Sequence, residues 1–372
     1  MRRIHSSILG ALLLAGCAST DIAPMQSASD VNSITANEKR VWAEADNYDL
    51  SMRNAGNVYE NPAILSYLQG IMDRVHPDFK GTIKVRVANS PHLNAFALPN
   101  GAIYVNVGLI ARLENEAQRA TVLAHEGGHF ILKHGYKQRQ NVKNSAAVSL
   151  FVSEILAMSS IYGYSRDLER EADMIAFEQI IKAGYDSKEA IRAFEHLANE
   201  AKALNEKEPF FFSSHPKLAE RIDVYKDLNK ASKNAGGEIG KERYNKNVAA
   251  LRITTLEGDL SMNRYKSVIL VLEDKKRLAE YPPEAGFFLA EAYQRRGDKG
   301  DEQKAIDAYL ATMKVAPAYA PSYRALGVHH LKKAEYGKAE SYLARYLQLA
   351  PQAPDRDHVR NYHQLSKQKG AK

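Results

Sequence analysis

The chain has 372 residues, long enough for two domains, and its 45% apolar and 26% charged residues are globular values. The formal charge of +7 is a mild excess, and roughly +8 of it falls after residue 240. The first two-thirds are therefore near neutral, the chain lacks the footprint of a nucleic-acid binder, and a solvated basic face is the default for the rest. With Cys17 as the only cysteine, disulfides are excluded, and a mature chain with that thiol modified has none left for catalysis.

Arg2 and Arg3 followed by the apolar run 8–15 read as a targeting segment. Leu14-Ala15-Gly16-Cys17 resembles the lipobox of bacterial lipoproteins. That resemblance implies a signal peptide over 1–16, cleavage before Cys17 and lipidation of its thiol. Ala18 follows, with no aspartate to suggest inner-membrane retention, so similarity to enterobacterial sorting favours the outer membrane. Residues 17–36 are small and polar and read as a flexible tether.

Residues 37–50 and 62–75 are helical in pattern, and 84–88 alternates as a strand. Segments 94–98 and 102–107 flank Pro99-Asn100-Gly101, a strong hairpin signal. An exposed strand there, from Asn94, Ala95, Phe96 and Ala97, is expected to bind substrate as an added strand.

The stretch 120–135 carries His125, Glu126 and His129 in the spacing H-E-x-x-H. Four residues on a helix return to within about 40° of the same direction. Two imidazoles can then meet one ion, and imidazole nitrogen suits Zn²⁺. Glu126, beside the pair but not tied to the metal, is placed to take a proton from water acidified by the metal. Asn115 with Gln118 reads as the helix start and Gly135 as its C′ glycine. The pair Gly127-Gly128 costs helix stability, about 1 kcal/mol each, so a close neighbour is expected there.

The third ligand is expected from a helix over 165–183, with Ser165 as N-cap and Gly184 as C′. Glu169 and Asp173 share a face, and Glu171 points about 200° away from each. Glu169 is assigned to zinc, Asp173 to the free N–H of a ligand histidine, and Glu171 to a solvated face. Ala172 and Ala176 would let a neighbouring helix approach. His134 falls off the ligand face of a continuous helix and reads as structural, as do His76, His92 and His196. Residues 145–162 are apolar but broken by Glu154, and they read as a helix near the cleft, with a membrane span the alternative. Phe210, Phe211 and Phe212 read as core or cleft lining.

H-E-x-x-H followed by Glu169-x-x-Ala172-Asp173 resembles the HtpX/BepA family of gluzincin metalloproteases. The Asn94-Ala95-Phe96-Ala97 hairpin and Ser214-His215-Pro216 with Arg221 agree with it, over roughly residues 40–230. Gly127 departs from the larger apolar residue more usual in the family. The resemblance implies one zinc per chain, with the oxyanion stabilised by His215 or Arg221, and with His215 either a resting zinc ligand or a fixed neighbour of the site.

The polar, glycine-bearing stretch 233–246 reads as a linker closing a protease domain over 37–232. Residues 320–351 match the tetratricopeptide pattern (Tyr323, Leu326, Gly327, Ala339, Leu343, Tyr346, Pro351), 287–317 form a second copy, and 247–281 a degenerate first one. The expected fold class is α+β, a mostly helical zincin-type domain with a small sheet, followed by an all-α repeat domain over 247–372. The function expected is a zinc endopeptidase of the bacterial periplasm, lipid-anchored to the outer membrane. Its substrates would be misfolded or misassembled envelope proteins, and its repeats would dock on outer-membrane proteins or assembly machinery. A chaperone or scaffold with restrained protease activity is the alternative.

Overall fold

The computed structural model describes residues 22–144, 163–204, 218–232 and 236–371. The targeting segment with Cys17, the stretch 145–162, Phe210 to Phe212 and His215 lie outside the described residues.

Helix α1 (Ala36–Asn54) starts at Thr35, which forms a capping box with Glu38. Helix α2 (Pro62–Val75) starts at Asn61, with proline at the first position, where no N–H is needed. Three strands follow, β1 (Lys84–Ala88), β2 (Ala95–Ala97) and β3 (Ala102–Asn106). They are ordered β1-β3-β2, with β1 parallel and β2 antiparallel to β3. The hairpin appears as read from the sequence: Gly101 takes φ 86°, which a side chain rarely tolerates, and Leu98 N donates to Ala102 O at 2.8 Å. Every residue of β3 is buried, and β2 lies at the edge of the sheet.

The remaining helices of this half are α3 (Val107–Arg112), α4 (Glu116–Ile131), α5 (His134–Asn144), α6 (Arg166–Lys182), α7 (Lys188–Leu204) and α8 (Leu218–Ala231). All of α4 is buried. Asn115 accepts from Gln118 N at its start, and α6 packs along it. The mid-helix glycines are explained by two close neighbours. A Cβ on Gly127 would stand 2.3 Å from the His76 ring, and one on Gly128 would stand 3.3 Å from Ala172 O.

Two boundaries differ from the sequence reading. The expected tether is packed from residue 22 onward: Met25 is buried, its N–H donates to Ile131 O at 3.0 Å, and Ala28–Ser33 forms a 3-10 turn. Ile34 is buried as well and Val31 packs against the core; apolar residues scattered through a polar run make these contacts, which composition hides. The expected linker is ordered in its described part. Ile239 O accepts from Ala117 N, Glu238 bridges to Tyr185, and helix α9 (Lys241–Ser261) begins within it. Gly236 and Gly240 have positive φ and serve bends rather than mobility. Tyr244, Val248 and Leu251 of α9 join the same apolar core as α2 and α4.

The C-terminal part continues with α10 (Tyr265–Leu272), α11 (Lys275–Leu278), α12 (Ala285–Arg296), α13 (Asp301–Val315), α14 (Ala320–Lys332), α15 (Tyr336–Leu349) and α16 (Arg356–Gly370). Helices α12 with α13 and α14 with α15 pack as pairs, while the partner of α9 is short and broken. Gly327 permits the second pair to close, since a Cβ there would stand 2.7 Å from Leu343.

This part is joined to the first through the C-terminal end of α3. A helix leaves its last carbonyls without partners in the helix. Here Ile110 O accepts from Tyr244, Ala111 O from Tyr281, Arg112 O from Arg277 and Leu113 O from Arg252. The buried Arg112 side chain itself meets Glu200, Asp259 and Ser267. Among the described residues no helix is long and apolar enough to cross a membrane.

Candidate metal centre

His125 and His129 project from consecutive turns of α4, and their Nε2 atoms lie 3.0 Å apart. Glu169, on the first turn of α6, places Oε2 3.4 Å from His125 Nε2 and Oε1 3.4 Å from His129 Nε2. All three residues are buried, and among the described residues they are the one His/Cys/Asp/Glu group able to hold a metal ion. Bond lengths of about 2.0–2.1 Å in tetrahedral geometry put ligand atoms about 3.3 Å apart. Two imidazoles and a carboxylate at this spacing fit Zn²⁺. Glu126 is fully buried on the residue next to His125.

The surroundings orient the ligands. Asp173, one turn beyond Glu169, brings Oδ1 to 2.9 Å from His125 Nδ1, so it can accept the N–H that leaves Nε2 for the metal. Arg221 of α8 reaches the same carboxylate with Nε at 3.0 Å and Nη2 at 2.7 Å. Its guanidinium lies over the Phe194 ring at 4.5 Å, and Nη1 is 3.7 Å from Glu169 Oε2. Arg221 thus stands behind the ligands, on Asp173.

The charges follow this layout. Burial would raise the Asp173 carboxyl, but Arg221 and His125 outweigh it and hold it below its ordinary value. Burial and Arg221 both push His125 down, yet the hydrogen bonds and charges of Asp173 and Glu169 prevail and leave it at about 9 without metal. His129 is driven well below the usual histidine range by burial and by the charge of His125.

Three residues beside His129 were not assigned to the site from the sequence. Helix α4 ends at Ile131, and Lys133 adopts φ 55°, so the chain turns back. Gly135, read as the cap, lies inside α5. The turn brings His134 Nδ1 to 2.8 Å from His129 Nδ1 and His134 Nε2 to 3.2 Å from Glu171 Oε2. Tyr164 stacks on the His129 ring, centroids 3.9 Å apart. Burial lowers His134 to about 4. Only a continuous helix would put His134 off the ligand face, and Glu171, though exposed, has His134 as a partner. A Lys-His-Gly run directly after an apolar helix was the one local signal of a turn. His76 is indeed structural, its Nε2 3.0 Å from Ala124 O, and His196 packs against Arg277.

Asn94, Ala95 and Ala97 are buried and Phe96 is half-buried, stacked on Tyr104. Among the described residues no strand pairs with the far edge of β2.

Residues 60–229 match the sequence model of Peptidase family M48. The mitochondrial metalloendopeptidase OMA1 of Arabidopsis thaliana is 30% identical over 177 residues, 45% of this chain and 34% of that one. The putative beta-barrel assembly-enhancing protease of Vibrio cholerae is 25% identical over 215 residues, 51% of this chain and 44% of that one. The beta-barrel assembly-enhancing protease of Escherichia coli K12 is 23% identical over 201 residues, 48% and 41% of the two chains. The chain thus spans less than half the length of these relatives. The domain built around α4 and α6 is that of a metalloendopeptidase.

Proposed function

We propose that the chain is a zinc-dependent endopeptidase of a bacterial cell envelope that hydrolyses misfolded or misassembled envelope proteins. The observation that carries this is the convergence of His125, His129 and Glu169 with Glu126 on the same helical turn. Zinc held there supplies Lewis acidity toward the scissile carbonyl and toward water. Glu126 takes the proton of the attacking water and returns it to the leaving amine. Asp173 and Arg221 keep His125 turned toward the ion. Since Arg221 is engaged by Asp173, the oxyanion is assigned to His215. The edge strand from Asn94 to Ala97 receives the substrate backbone as an added strand.

The envelope reading draws on the lipobox at Cys17, which would hold the protein at the periplasmic face of the outer membrane, and on the relatives named for beta-barrel assembly. The helix pairs of 247–372 are read as tetratricopeptide-type repeats that dock the enzyme on outer-membrane proteins or their assembly machinery.

Glu126→Gln tests the chemistry. Zinc should be retained while hydrolysis of an unfolded protein such as casein falls about 10²–10⁴-fold; unchanged hydrolysis would overturn the assignment. Complementation of a null strain by the same variant separates the readings: full rescue would favour the chaperone or scaffold, and no rescue the protease.

A further inference from the structure

We infer that His134 is a positioning residue for the metal site, setting the tautomer and ring direction of His129 and itself oriented by Glu171. The inference rests on the zinc reading above.

The argument starts from the hydrogen count. His129 Nε2 faces His125 Nε2 and Glu169 Oε1, so Nε2 offers its lone pair to the ion and Nδ1 carries the hydrogen. At Nδ1 stands a second imidazole, His134 Nδ1 at 2.8 Å. Two N–H groups cannot face each other at that distance, so His134 Nδ1 is bare and accepts. A neutral imidazole with a bare Nδ1 holds its hydrogen on Nε2. That atom lies 3.2 Å from Glu171 Oε2, an oxygen also 3.8 Å from Lys137 Nζ. The sequence Glu171, His134, His129 therefore has one consistent arrangement, each N–H donating toward the carboxylate.

The two ligand histidines are thus oriented by different means. His125 has a carboxylate directly at Nδ1, Asp173. At His129 Nδ1 a second ring, His134, stands between the ligand and the carboxylate of Glu171. The backbone is bent to make this possible. Lys133 occupies the left-handed region, which is strained for a non-glycine residue, and its ammonium is held by Glu38 Oε1 at 2.7 Å. Without that turn His134 would point well away from His129. Tyr164 covers the face of the His129 ring while His134 fixes its edge, leaving the ring little freedom to rotate.

Outer partners of ligand histidines are worth about 10–100-fold in metal affinity. His134→Phe keeps a ring of similar size and removes the acceptor. Its zinc dissociation constant, measured by chelator competition, should rise by about 10–100-fold. His134→Asn, whose Oδ1 stands near the place of Nδ1, should recover most of the loss. Glu171→Ala should lose less than His134→Phe, because Glu171 is 48% exposed and water can replace it. Wild-type affinity in His134→Phe, or equal loss in the phenylalanine and asparagine variants, would overturn the inference. A wild-type protein that binds no zinc would instead sink the underlying reading. Should the variants not fold, ¹⁵N-histidine NMR of the wild-type zinc form decides: a bare Nδ1 and protonated Nε2 on His134 is expected, and the reverse tautomer would refute it.

Discussion

Arg221 and Asp173 form a two-pronged ion pair, 3.0 and 2.7 Å, buried behind His125. One carboxylate oxygen of Asp173 accepts from both Arg221 Nη2 and His125 Nδ1, so metal orientation and the α6–α8 contact depend on the same atom. Asp173→Asn should therefore fail twice. Loss of the charge leaves Arg221 buried without a full counter-ion, a cost of about 3–5 kcal/mol, and zinc affinity should drop about 10–100-fold. Denaturant unfolding and chelator competition read the two effects separately.

Gly127 and His76 should behave as a coupled pair. A Cβ at Gly127 meets His76 Cδ2 and Nε2 at 2.3 Å and would dislodge the ring from Ala124 O. Gly127→Ala is expected to destabilise by about 1–3 kcal/mol through overpacking. In a His76→Ala background the same change should become neutral or stabilising by up to about 1 kcal/mol, the helix propensity gain. A double-mutant cycle by urea unfolding measures the difference, and equal costs in both backgrounds would contradict the packing account.

Glu116 makes stability pH-dependent in a defined direction. It opens α4 and accepts from Tyr67 at 2.6 Å, Tyr185 at 2.7 Å and Arg243 at 2.6 Å. Burial raises its carboxyl, but these partners outweigh burial and leave it below the ordinary value of 4.5. A depressed folded-state value means the contribution is full above the unfolded value and fades as pH falls through the folded one. Glu116→Gln should cost about 1.5–3 kcal/mol at pH 7, and its melting temperature should converge with wild type only as pH falls through the lowered folded-state value of the carboxyl, below the ordinary carboxylate range.

Arg112 ties the two halves together. Arg112→Leu would leave Glu200 and Asp259 buried without their shared cation, costing about 3–5 kcal/mol. Limited proteolysis should then cut near 236–246, where Glu238 and Ile239 are held by Tyr185 and Ala117 while α9 is docked.

Much of the site was legible because it obeys local rules. The i, i+4 spacing on α4, the separation of Glu169 from Glu171 on α6, and the caps Asn115 and Ser165 all follow from helix geometry and short-range hydrogen bonds. Strand β1 falls where its alternation put it. The misread features depend on distant partners. Lys133 holds a left-handed turn beside Glu38, Met25 finds Ile131, and the glycine-bearing stretch before α9 is pinned by Ala117 and Tyr185. None of those contacts leaves a periodic trace near the residue that makes it. Glycines in a polar run look alike whether they flex or turn, and a histidine after an apolar helix looks off-face until the helix is known to have stopped.

The docking of Met25 onto Ile131 has a consequence of reach. With a lipid on Cys17, as proposed, seven residues separate the anchor from a fixed point at the end of the helix that carries His125 and His129. Fully stretched at about 3.5 Å per step, the eight steps from Cys17 to Met25 span about 28 Å, comparable with the diameter of a small domain. Such a leash would hold the metal centre close above the lipid headgroups rather than let it roam the periplasm. Chains stalled at the bilayer surface would then meet the active site first, and lengthening the segment before Met25 would widen the zone the enzyme can police.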